Sequence, residues 1–129
     1  MKANESIIAE VAERGYITEK EINLLKCRSN REGRDVINYE LISDAVPVTP
    51  EQGAKALLGL KKLLKRNGEP REGQNLGWRE IDIIKSATAN DFEFVCLHDC
   101  GNRSSNFVPV YRCGAMEYYV LGGEINVVG

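Results

Sequence analysis

Between Phe92 and Gly129 the chain carries four short runs, FEFVCLH, FVPVYRC, MEYYVLG and EINVVG, dense in β-branched and aromatic residues. Runs of this length and content, set apart by turn formers, read as strands. Gly122 and Gly123, between the last two runs, supply the two positive-φ positions of a tight hairpin turn. Strands joined this closely pair antiparallel, because a parallel pair needs a crossover of a dozen or more residues. The predicted C-terminal half, about 78–129, is a mostly antiparallel β-meander of four to five strands.

Such a sheet must cover an apolar face, and the first 68 residues offer the helices to do so. Ile7, Ile8, Val11 and Ala12 recur at helical spacing within 4–14, and Gly15 stops that helix. Thr18 followed by Glu21 forms a capping box, with Ile17 placed to staple onto Ile22, which predicts a second helix from Glu19 to about Arg28. SNREGRD then reads as a loop and VINYELISDA as a short helix. Thr49 caps a further helix with Pro50 at its first position, Glu51 facing the dipole, and Gly68 as the stop after Asn67. On a helical wheel Ala54, Leu57, Leu60 and Leu64 share one side of it, and Lys55, Lys62 and Arg66 the opposite side.

EPREGQNLG, with its proline and glycines, is the expected loop joining the two halves over 69–77. WREIDIIKS, which follows, fits a helix through Trp78, Ile81 and Ile84. Its β-branched content and the position of Ile83, off that stripe, favour a strand. The expectation is thus one α+β domain, 1–129, with three or so N-terminal helices packed on the meander.

With 43% hydrophobic and 28% charged residues the chain is too apolar for a disordered one. No apolar run reaches the roughly 18 residues of a spanning helix, and MKANESIIAEVAERG does not read as a secretory signal, so no membrane partner and a cytoplasmic location are expected. Four cysteines there stay reduced. Residues 49–85 carry eight Lys/Arg against five Asp/Glu, whereas 86–129 carry two against five, so basic and acidic regions separate along the chain.

CLHDCGNRSSNFVPVYRC holds three of the four cysteines and the only histidine. A zinc site would gather Cys96, His98 and Cys100, with Cys113 as a fourth ligand. Along a regular strand Cys96 and Cys100 stand about 13 Å apart, at roughly 3.3 Å per residue, while two sulfurs on one zinc must lie roughly 4 Å apart. No second C-x-x-C pair exists. A Cys/His nucleophile would need a third group to orient His98, and Asp99 points to the other side of a strand. Alternation puts Phe92, Phe94, Cys96, His98 and Cys100 on one face. The plainer expectation is that the cysteines pack, that CGNRSSN is a hairpin loop, and that no metal, cofactor or catalytic residue is present.

Helix, glycine turn and helix in IIAEVAERGYITEKEINLLK have the outline of a DNA-binding helix-turn-helix, yet Glu19 and Glu21 would face the bases and phosphates. The stripe of Lys55, Lys62 and Arg66, with Lys26, Arg28, Arg31 and Arg34 as additions, is the better candidate contact surface. A net charge of −2 favours a protein partner there over nucleic acid, which is the alternative for the same stripe. Sequence alone thus points to a non-enzymatic binding protein.

Overall fold

The computed structural model of the chain describes residues 4–32, 45–67, 76–99 and 107–128. In chain order these form helices α1 (Asn4–Arg14) and α2 (Glu19–Glu32), strand β1 (Val46–Pro47), helices α3 (Pro50–Asn67) and α4 (Trp78–Ser86), and a 3₁₀ turn (Ala89–Asp91). Strands β2 (Phe92–Asp99), β3 (Phe107–Cys113), β4 (Met116–Leu121) and β5 (Glu124–Val127) follow. All five strands form one antiparallel sheet in the order β1-β2-β3-β4-β5. The class is α+β.

One device recurs at the element starts. Thr18 N–H and Oγ1 both donate to Glu21 Oε1 at 2.9 Å, and Glu21 N–H returns a bond to Thr18 Oγ1. Thr49 and Gln52 repeat the pattern at α3, Gly77 N–H reaches Glu80 Oε2 at α4, and Thr88 pairs with Asp91 at the 3₁₀ turn. Each side chain three residues in satisfies a backbone donor that the first turn leaves orphaned. At Glu21 burial acts to raise the carboxyl pKa, but hydrogen bonds from Arg14 and Thr18 outweigh it and hold the value below the ordinary 4.5. Because the folded value is depressed, the stabilisation is complete above the ordinary value and is lost as pH falls through the folded one. Thr18→Ala should cost about 1 kcal/mol in urea unfolding at neutral pH; an unchanged midpoint would place the start of α2 elsewhere.

Residues 78–86, read as a strand, are the helix α4. Its packing decides the matter: Ile81 and Ile84, three apart, are both buried, while Asp82 and Lys85 between and beyond them are exposed. Ile83 does not contradict this, since it packs half-buried at the edge of the core beside the Gly114 turn. The fifth strand comes instead from Val46–Pro47, antiparallel to Phe94 and Glu93 of β2. A proline is tolerated there because an edge strand pairs on one side only. One further boundary and one burial differ. α2 continues to Glu32, since no breaker precedes Gly33. Ala12 is exposed, and the buried stripe of α1 is Ile7 and Val11. Residues 36–44 of the expected helix, Gly68 and residues 69–75 of the loop lie outside the described residues, and Ala45 is not helical.

The core gathers Ile7, Val11, Ile17, Ile22, Leu60 and Ile84 from the helical part against Phe92, Phe94, Phe107, Cys113, Met116 and Tyr118 of the sheet. β1 ties the halves together, because Ile17 N–H donates to Pro47 O at 2.9 Å and Val48 N–H to Phe92 O. The hairpin turn is as expected, with Gly122 and Gly123 at φ +62° and +75°.

Candidate functional site

The cysteine-rich strand does not keep simple alternation. β2 pairs Phe94 with Tyr111 but Cys96 with Val110, so one extra residue, Val95, forms a β-bulge. Past the bulge the faces exchange. Phe92, Phe94 and Leu97 are buried on the helix side, whereas Cys96 and His98 lie on the opposite face, apart from the phenylalanines with which strict alternation grouped them. There the His98 ring stacks on Tyr119, centroids 4.5 Å apart. Cys113 pairs directly with Phe92 and is wholly buried on the helix side, across the sheet from Cys96 and His98. Cys100 lies outside the described residues. Among the described residues no group of three or more His, Cys, Asp or Glu is placed to hold a metal ion.

Thiol chemistry follows the same division. Burial pushes the Cys113 thiol up to about 11, with Asp91 adding to the shift, and burial together with Glu117 raises that of Cys96. Neither is an activated thiolate. Cys27, in contrast, is exposed on α2. Iodoacetamide at neutral pH should therefore label Cys27 well before Cys113, read by peptide mass spectrometry; equal rates would mean that Cys113 is not in the core.

The same face of the sheet carries a cross-strand charge row in which Arg112, between Glu93 and Glu117, bonds Glu117 Oε1 at 2.6 Å. All three side chains are about one-third exposed, so the row adds little stability. The charge row is solvated, whereas Val108 and Val110 on the same face are buried. The carboxylates of the helix-turn-helix outline are also engaged: Glu19 by Lys55 of α3 at 2.9 Å, Glu21 by Arg14.

A concave site opens elsewhere, along one flank of α3. Gly53, Leu57, Leu60 and Leu64 form or border the buried side of this helix; Ala54, grouped with the leucines on the wheel, is exposed, and Gly53 takes its place. Beside that side run Ala56, Gly59 and Leu63, at i, i+3 and i+7. Two of these are small, so the helix cannot fill the space between itself and the sheet. An apolar groove of about 390 Å³ results, walled by Ala56, Gly59, Leu60 and Leu63 and floored by Pro109, Tyr111, Tyr118 and Val120. Burial pushes the Tyr111 hydroxyl up to about 12 and that of Tyr118 further, so both stay neutral at physiological pH.

Part of the predicted basic stripe borders this groove. Lys62 lines its edge, and Arg66 reaches the β4–β5 turn beside Gly123. Neither has an acidic partner among the described residues. Lys55, further back on the stripe, is neutralised by Glu19. Pro109 matters to the floor: it has no N–H, and the β3–β4 ladder ends at Tyr111↔Tyr118, two residues short of the position at which Pro109 would face Val120. Of the groove residues, only Leu60 and Lys62 are singled out by the sequence. Ala56 and Gly59, three apart among leucines, were the available signal.

A second hollow beside α2, lined by Glu19, Lys20, Asn23, Leu24 and Cys27, is a surface depression of mostly exposed side chains. No protein family matches the chain, and neither a curated protein nor a solved structure is similar to it. Among the described residues no helix is long and apolar enough to cross a membrane.

Proposed function

We propose that the protein is a non-enzymatic, cytoplasmic binding protein whose contact site for a protein partner is the groove between α3 and the sheet. One observation carries this reading: an apolar groove of about 390 Å³ with Lys62 on its helix edge and Arg66 one turn further on beside the β4–β5 turn, neither of them paired with an acid among the described residues. Recognition sites are concave and mostly apolar, with a few polar groups that set orientation. The raised thiols of Cys96 and Cys113 support a role without a cysteine nucleophile. Lys55 is paired at the surface with Glu19, and the net charge of −2 weighs against a polyanionic partner.

The test uses peptides displayed on phage. Random linear peptides selected on the full chain are expected to yield binders enriched in Asp and Glu, and Gly59→Leu should abolish their binding. A Cβ at Gly59 meets nothing within 4 Å, so the substitution fills the groove while leaving the fold intact. Binders that keep their affinity for Gly59→Leu would take the groove out of the reading.

A further inference from the structure

Resting on the groove as the contact site, we infer that its occupant is an amphipathic α-helix of a partner protein, carrying acidic residues along one flank. The backbone of the walls leads to this. α3 is helical throughout Pro50–Asn67, so its own backbone groups are paired internally along the groove. The floor belongs to β3 and β4, whose ladder groups point along the sheet toward neighbouring strands rather than out of its face. The donor that Pro109 lacks would also have lain in that plane. The paired main-chain groups of both walls are therefore turned away from the groove, those of Pro109 and Val120 past the end of the β3–β4 ladder keep to the plane of the sheet, and the side chains facing the groove are almost wholly apolar.

An extended peptide laid into such a groove would bury its own N–H and C=O groups without partners, each at a substantial desolvation cost. A helix satisfies its backbone internally and presents only side chains, which is the helix-in-groove mode of recognition, read through anchors at i, i+3, i+4 and i+7. The groove's volume suits a few such apolar anchors. Charge sets the flank. Lys62 and Arg66 stand four residues apart on α3, roughly 6 Å along the axis at about 1.5 Å per residue. Carboxylates at i and i+4 of a helix lying alongside repeat that spacing. Opposite the basic stripe the lip is Val120, 41% exposed and apolar, so acidic residues belong on the α3 side of the bound helix and apolar ones on the sheet side.

The peptides selected on phage decide this. Synthesised and titrated against the full chain, groove-dependent binders are expected to show apolar residues at i, i+3, i+4 and i+7 with Asp or Glu on one flank, and to gain helical circular dichroism on binding. A proline at their centre should weaken binding at least about tenfold. Lys62→Glu/Arg66→Glu should weaken them similarly and favour versions in which Lys replaces the acids. Peptides that bind, are lost with Gly59→Leu, and yet tolerate the proline or alternate with period two would overturn the helix while leaving the groove as the contact site. Absence of any groove-dependent peptide, or dodecanoate binding that Gly59→Leu abolishes in its place, would overturn both.

Discussion

Gly53→Ala is expected to destabilise the protein by about 3 kcal/mol, although alanine is the better helix former by about 1 kcal/mol. A Cβ at Gly53 would sit 1.9 Å from the carbonyl oxygen of Ala89 and 2.9 Å from its carbon. Both are backbone atoms of the 3₁₀ turn Ala89–Asp91, which is continuous with β2 and anchored by Thr88 and Asp91. Nothing there can swing aside, so either α3 or the turn must move by an ångström or more, and the core residue Leu60 moves with the helix. Gly59→Ala is the internal control. It lies in the same helix with open space around its Cβ and φ in the ordinary range, so it should stabilise by up to about 1 kcal/mol. Urea unfolding of the two variants checks the pair. Equal and favourable effects at both positions would show that α3 does not pack on the turn through Gly53.

Ile84→Ala and Ile81→Ala are each expected to cost about 3 kcal/mol, because both side chains are buried in the core and truncation removes their apolar contact and leaves a cavity. Ile83→Ala, at a half-buried edge position, should cost clearly less. The pattern discriminates between the two conformations available to WREIDIIKS. In a strand, Ile81 and Ile83 would share one face and Ile84 the other, so large effects at 81 and 84 with a small one at 83 require a helix. Denaturant midpoints with unchanged slopes are the readout. Large losses at Ile81 and Ile83 together with a small one at Ile84 would overturn the assignment of α4.

Physical reasons separate what could be read from the chain and what could not. Helix starts were legible because a cap is a local event: Thr18 with Glu21 and Thr49 with Pro50 act over a single turn, and the structure shows those bonds. The hairpin at Gly122-Gly123 was legible for the same reason, since positive φ at two successive positions selects glycine. Glu80, three residues after Gly77, is the same kind of local signal at α4; the β-branched content that favoured a strand there reflects burial rather than the backbone.

The candidate site was legible only in part. Lys62 and Arg66 were visible as a stripe, because a helical wheel depends on one element alone. Where that stripe lies relative to a groove depends on how α3 meets β3 and β4, and no period in the sequence encodes the distance between them. The faces of β2 show the limit most directly. One extra residue at Val95 exchanges every side chain after it, so Leu97 rather than Cys96 enters the core and Cys113 stands across the sheet from His98. A bulge answers to pairing with the partner strand, which no local period encodes.

By itself, then, the sequence determined the α+β class, the caps that start α2 and α3, the antiparallel meander and the basic stripe, all of which follow from contacts within a few residues. Tertiary packing alone decided that 78–86 is a helix, that Val46–Pro47 is the fifth strand, that Cys96 and Cys113 lie on opposite faces of the sheet, and that Ala56 and Gly59 leave an apolar groove beside Lys62 and Arg66. Each of those depends on which surfaces meet, and burial against a distant partner outweighs the few tenths of a kcal/mol by which local preferences differ.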